Sequence, residues 1–120
     1  MLNQYEVPAL IADEFPEIRE PLARLSNNGN ITKVVEVFAR YTEENVHGHN
    51  LHIVEKCMKL ADRIYVKGNE IVKNAIENVF IFSFSTMRHL CNRVEWRIIQ
   101  ARIPVTLYST YIKQVNHSED

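Results

Sequence analysis

The segment that opens at Asn30 limits most strongly what this chain can fold into. Its apolar residues Ile31, Val34, Val35 and Phe38 stand at offsets of three, four and seven. That spacing lines side chains along one face of an α-helix. Lys33, Glu36, Arg40, Glu43 and Glu44 fill the other positions, so the opposite face is wet. Asn30 suits the N-cap, and Gly48 follows His47 as a stop. A helix of this kind buries its stripe only against other elements, and the rest of the chain has to supply them.

The following segments read as further helices. Asn50 caps a stripe of Leu51, Val54, Cys57, Met58, Ala61, Ile64 and Tyr65. Gly68 reads as a left-handed stop, with Asn69 capping the next helix directly. Connections this short make antiparallel neighbours. The helix from Glu70 carries Ile71, Val72, Ala75, Ile76, Val79 and Phe80 inward. Residues 79–84 are apolar nearly all round and would also suit a buried strand. They read as helix because no turn signal separates them from Glu70 and no second strand exists to pair with. A helix apolar on all sides is a central one, packed on both faces.

On the N-terminal side, Pro8 suits a first helical turn. Pro16 breaks the chain at Phe15-Pro16-Glu17, and a short helix follows with Ile18, Leu22 and Leu25 on one face. The clearest loop is 26–30, Ser-Asn-Asn-Gly-Asn. Two segments close the chain, 93–103 and 104–115, the second burying Val105, Leu107, Tyr108, Tyr111 and Ile112.

The expected fold class is therefore all-α, a compact bundle of about six helices. A length of 120 residues fits one domain over 1–120. Residues 1–29 hold short N-terminal helices, 30–115 the main bundle, and 116–120 a frayed tail. Such a chain should have a radius of gyration of about 14 Å. The similar lengths of the three central segments allow helical-repeat-like packing of antiparallel hairpins, although only their asparagine caps recur. The core is expected on Phe38, Leu51, Val54, Met58, Ala61, Ile76, Val79 and Phe80.

Charge narrows the partners. Fourteen basic and 15 acidic residues nearly cancel, so no global field holds a phosphate backbone and nucleic acid is not expected. The same balance does not oppose self-association. Cys57 and Cys91 share no metal-ligand spacing and read as two buried thiols of a cytoplasmic protein. No apolar run is long enough to span a bilayer, so no membrane partner is expected. Met1 is followed by polar Asn3, Gln4 and Glu6 rather than a basic head and apolar run, so no secretory leader is expected.

Two clusters could carry chemistry. His47, His49 and His52 form a histidine-rich corner, and Glu44 adds a Glu-x-x-His pair with His47. Imidazoles this close can hold a transition metal. A di-iron site would need a second Glu-x-x-His, which the sequence lacks. A solvated turn is the plainer account, and no metal or other cofactor is expected. Arg93 and Arg97 lie one turn apart beside Trp96, with Arg88 and His89 just before them. Tryptophan among arginines is a common composition of interface hot spots and can also stack on an anionic ligand. The plainer account puts Trp96 in the core and its arginines in water.

Ser85 and His89 are four residues apart, but no acid completes a catalytic set. Hydroxyl-to-backbone bonding explains Ser83, Ser85 and Thr86 as well. No nucleophile elbow, glycine-rich phosphate loop or Cys-x-x-Cys occurs.

The Phe15-Pro16-Glu17 break, the Gly68-Asn69 junction and the run Val72-Lys73-Asn74-Ala75-Ile76-Glu77-Asn78-Val79-Phe80 carry a family resemblance. Most clearly over 31–85, the chain resembles an uncharacterised family of small all-helical bacterial proteins, a domain of unknown function. The resemblance implies an all-α fold and a bacterial, cytoplasmic setting. It transfers no catalytic residue. By analogy of size and architecture it points to toxin-neutralising or partner-binding modules.

The functional expectation is a non-enzymatic protein-interaction module, with a protein partner or a homodimer contact at Trp96, Arg93 and Arg97. The alternatives are a metal-binding protein or metal-dependent enzyme at His47, His49 and His52, and a small-ligand pocket between the central helix and the C-terminal pair.

Overall fold

The structure is a computed structural model that describes residues 1–26 and 28–118. Its elements are α1 (Val7–Glu14), a 3₁₀ turn (Pro16–Ile18), α2 (Arg19–Leu25), α3 (Ile31–His47) and α4 (Leu51–Lys67). After them come α5 (Glu70–Ala75), a π-helical stretch (Ile76–Ile81), α6 (Phe84–His89), α7 (Arg93–Arg102) and α8 (Val105–Ser118). Phe82 and Ser83 keep right-handed helical backbone angles, so 70–89 forms one rod. Counting that rod once gives seven helices, close to the six expected and without strands among the described residues. The radius of gyration is 13.7 Å.

Local sequence explains most of these boundaries. Asn30 Oδ1 accepts the Lys33 N–H at 3.2 Å, and Asn69 Oδ1 accepts the Val72 N–H at 3.0 Å. Asn92, which the pattern did not single out, caps α7 by accepting the Glu95 N–H at 2.8 Å. Asn50 stands at the expected N-cap of α4 but makes no capping bond. Its amide instead donates to Asn45 Oδ1 at 3.0 Å. Pro8 sits in the first turn of α1, and Tyr41 of α3 donates to Glu17 at 2.6 Å, holding the Phe15-Pro16-Glu17 break against the bundle. That bond is the main reason the Glu17 carboxyl titrates below its usual range.

Gly68 plays another part than the expected left-handed stop. Its backbone is extended, with φ −71° and ψ 152°. Glycine is needed there for closeness: a Cβ would lie 2.6 Å from Val72 Cγ1 and 2.7 Å from the Ile64 carbonyl oxygen. The extended geometry also lets Leu2 pair alongside. Leu2 N–H donates to the Lys67 carbonyl and Asn69 N–H to the Leu2 carbonyl, both at 2.8 Å. The N-terminus is thus sewn to the α4–α5 junction by a bridge that no sequence pattern announces. The left-handed turn between α3 and α4 falls on His49, at φ 62°, rather than on Gly48.

The π stretch answers the ambiguity of 79–84. It is helical, as expected, but wound so that side chains five apart align. Ile76 and Ile81 are five apart, and both are fully buried with Phe80. In an α-helix Ile81 would point about 140° away from Ile76. The wider turn therefore lets the rod bury an extra isoleucine. The same register leaves Phe82 70% exposed, so the rod is packed on one broad face and open on the other.

Of the expected core residues, Phe38, Val54, Met58, Ala61, Ile76 and Phe80 are buried, while Leu51 and Val79 are partly buried at its edge. In α8, Leu107 and Tyr111 face inward as expected, but Val105 is 81% exposed, about 200° round the helix from Leu107, while Ile112 is 37% exposed and Tyr108 half-buried; Ile71 in α5, also expected inward, is 51% exposed. α8 runs past the expected end at Val115 to Ser118, and residues 119 and 120 of the expected tail lie outside the described residues. So does Asn27 of the 26–30 loop.

Phe80 sits at the centre, stacked on Phe38 with ring centroids 4.9 Å apart and edge-on to Phe84 at 5.8 Å. Phe80→Ala should lower the unfolding free energy by about 3–5 kcal/mol, read by urea denaturation. A loss under about 1 kcal/mol would mean that the rod does not anchor the core here.

Candidate cleft between helices α6, α7 and α8

The rod ends at Arg88 and His89, α7 begins at Arg93, and α8 returns alongside. Between these three helices lies a cleft of about 610 Å³. Its basic side chains are Arg88, His89, Arg93 and Arg97, and its aromatic wall is Trp96, Tyr108 and Tyr111. No carboxylate lines it among the described residues. The ion pairs of the described residues are Arg24–Glu20, His49–Glu95, Lys56–Glu14, Lys59–Glu55 and Arg102–Glu55. None uses Arg88, Arg93 or Arg97, and all three arginines are exposed.

The winding of α7 explains this separation. Trp96 and Ile99 turn into the core. On one flank α7 is pinned to the α3–α4 side. Glu95 meets His49 Nδ1 at 2.6 Å, and Arg102 donates to Glu55 at 2.7 Å. Arg93 and Arg97, one turn apart, are left on the cleft flank. A third flank carries Val94 and Ile98, which are 66% and 37% exposed.

Trp96 is 8% exposed, so it is a core residue whose edge lines the cleft rather than a projecting anchor. The sequence joined it correctly to Arg93 and Arg97 but could not show its burial. The sequence also missed Tyr108, Tyr111 and Gln100, which arrive from later turns. Tyr111 OH and Ser85 Oγ share a hydrogen bond at 3.2 Å, and Gln100 donates to Tyr108 OH. Ser85 is thus paired with Tyr111, and Ser83 Oγ donates to the Phe80 carbonyl at 2.5 Å. That is the hydroxyl-to-backbone bonding expected of helix serines.

The other candidates are less ordered for chemistry. His47, His49, His52 and Glu44 are all exposed. Among the described residues no three His, Cys, Asp or Glu side chains gather as metal ligands. A wider groove of about 840 Å³ lies across α8, beside Phe82. Its charges are mixed: Lys113 and His117 face Glu77, whose carboxylate accepts from Tyr65 at 2.5 Å. Asp62 is a single carboxyl with one buried oxygen lacking a partner, and burial raises its pKa.

Both cysteines are free thiols; Cys57 is buried and Cys91 partly so. Burial pushes the Cys57 thiol up to about 12 and raises Cys91 as well. A thiol with so high a pKa is protonated near neutrality and is a poor nucleophile. Cys57 should resist a disulfide reagent at pH 8 in native protein and react at once in denaturant. Rapid native labelling of Cys57, read by peptide mass, would contradict its placement.

The chain belongs to a family described as a domain of unknown function (DUF7674), which matches residues 8–117. No curated protein and no solved structure matches it.

Proposed function

We propose that this chain is a non-enzymatic interaction module that takes an acidic segment of a partner protein against α7. The observation that carries this reading is the gathering of three guanidiniums and an imidazole in one cleft, without a carboxylate among the described residues. Like charges held together repel, and an incoming anion relieves that repulsion. Guanidinium forks match carboxylates in geometry and lose little hydration on pairing. The neighbouring Val94 and Ile98 supply apolar area that a partner would cover. A net charge of −1 and a single local cluster favour an acidic protein segment over a nucleic acid backbone, which needs a longer track of cations.

The reading places the protein in a bacterial cytoplasm. It is supported by two free thiols. No helix among the described residues is long and apolar enough to cross a membrane. The partner-binding role extends to a second copy of the chain only if that copy presents an acidic edge to the cleft.

Trp96 is the only tryptophan and reports directly on the cleft. Titrating the protein with a short synthetic peptide of glutamates around leucine should give a saturable change in its emission. Added salt should weaken the response, because exposed charges are screened. The double variant Arg93→Glu/Arg97→Glu should lower affinity at least about tenfold while keeping the melting temperature. No emission change at low salt, or an undiminished one in the variant, would overturn the reading.

A further inference from the structure

Three arginines are more than one carboxylate needs. A guanidinium offers two parallel N–H donors to one carboxylate, and that pair is already neutral. Arg88 comes from the end of the rod, while Arg93 and Arg97 come from α7, so the cations approach the cleft from two helices. Charges arriving from two sides suit a compact anion with several terminal oxygens. A phosphomonoester carries about −1.5 to −2 charge near neutrality and three strong acceptor oxygens. A carboxylate or sulfate ester carries one negative charge and leaves part of the cluster unbalanced.

The aromatic wall adds a second requirement. Tyr108 and Tyr111 lean on each other with centroids 6.3 Å apart, and Tyr111 is held edge-on by Phe84 at 5.5 Å. Trp96 is fixed by burial. The Tyr111 hydroxyl is engaged by Ser85 and that of Tyr108 by Gln100, so their polar ends are partnered within the fold. What the wall offers a ligand is the half-buried ring of Tyr108 with the edges of buried Trp96 and Tyr111 beside it, which a planar group covers without ordering many bonds. Resting on the reading of the cleft as an anion site, we infer that its ligand is a phosphomonoester carried on a planar ring. The phosphate meets Arg88, Arg93 and Arg97, and the ring lies against Tyr108 beside the Trp96 edge. Such a ring phosphate occurs on phosphorylated tyrosine side chains, so the ligand fits the acidic partner segment proposed above.

Calorimetric titration of the full chain with phenyl phosphate, phenyl sulfate and inorganic phosphate separates the parts of this inference. Phenyl phosphate and phenyl sulfate share shape and differ in charge. Phenyl phosphate should bind at least about tenfold more tightly than phenyl sulfate and more tightly than inorganic phosphate. Arg88→Gln should weaken phenyl phosphate more than phenyl sulfate, narrowing the gap between them. Equal binding of the two esters would overturn the dianion claim while leaving the cleft an anion site. Inorganic phosphate binding as tightly as phenyl phosphate would overturn the role of the ring. Binding of none of them, with the glutamate peptide also silent, would remove the cleft itself as a site. N-acetyl-O-phosphotyrosine amide should bind at least as tightly as phenyl phosphate, and adenosine 5′-monophosphate, whose phosphate stands on ribose away from the base, should bind more weakly. Tighter binding of the nucleotide would overturn the ring-phosphate assignment.

Discussion

The structure depends on a chain of aromatic contacts running from the N-terminal helices to the cleft. Phe15 meets Phe38 at 6.1 Å, Phe38 stacks on Phe80, Phe80 meets Phe84, and Phe84 meets Tyr111. Each link joins a different pair of helices or two turns of the rod. Aromatic pairs in these tilted, stacked and edge-on arrangements add about 0.5–1.5 kcal/mol beyond the area they bury. Their larger effect here is positional. The last ring of the chain, Tyr111, is both core and cleft wall. The cleft wall is therefore braced by the aromatic core, and the proposed ligand should bind there without the helices rearranging.

The π stretch lies within this chain of rings and includes Phe80. Phe80 has to reach Phe38 on α3 while Phe84 reaches Tyr111 on α8. Widening the helix over Ile76–Ile81 buries Ile81 beside them and sets Phe82 outside. π turns often lie close to functional sites. In this protein the π turn lies on the same rod as Arg88 and His89, about two turns before them.

Much of this was legible in the sequence, for identifiable reasons. The stripe of Ile31, Val34, Val35 and Phe38 is a local signal, and so are the caps at Asn30 and Asn69. Periodicity finds amphipathic helices well, and α3 and α4 follow it. It fails where winding departs from 3.6 residues per turn, which is why Phe82 looked as buried as its neighbours. Gly68 was recognised as special, but its reason is a tertiary approach to Val72 and Ile64 rather than a backbone hand. The cleft was half legible. Arg93, Trp96 and Arg97 cluster within one helix, whereas Tyr108 and Tyr111 join them only once α8 folds back. The histidine corner shows the reverse. Its residues are adjacent in sequence, yet His49 turns to Glu95 and no ligand set forms among the described residues.

The central claim is that anion recognition belongs to this cleft and to no other surface of the chain. Mapping chemical shifts in nitrogen-labelled protein during a phenyl phosphate titration tests it most directly. The account predicts the largest shifts at the Arg88, Arg93 and Arg97 guanidiniums and the Trp96 indole, with α1, α2 and the histidine corner unmoved. Shifts centred on Lys113 and His117 in the groove beside Phe82, with the three arginines silent, would contradict it.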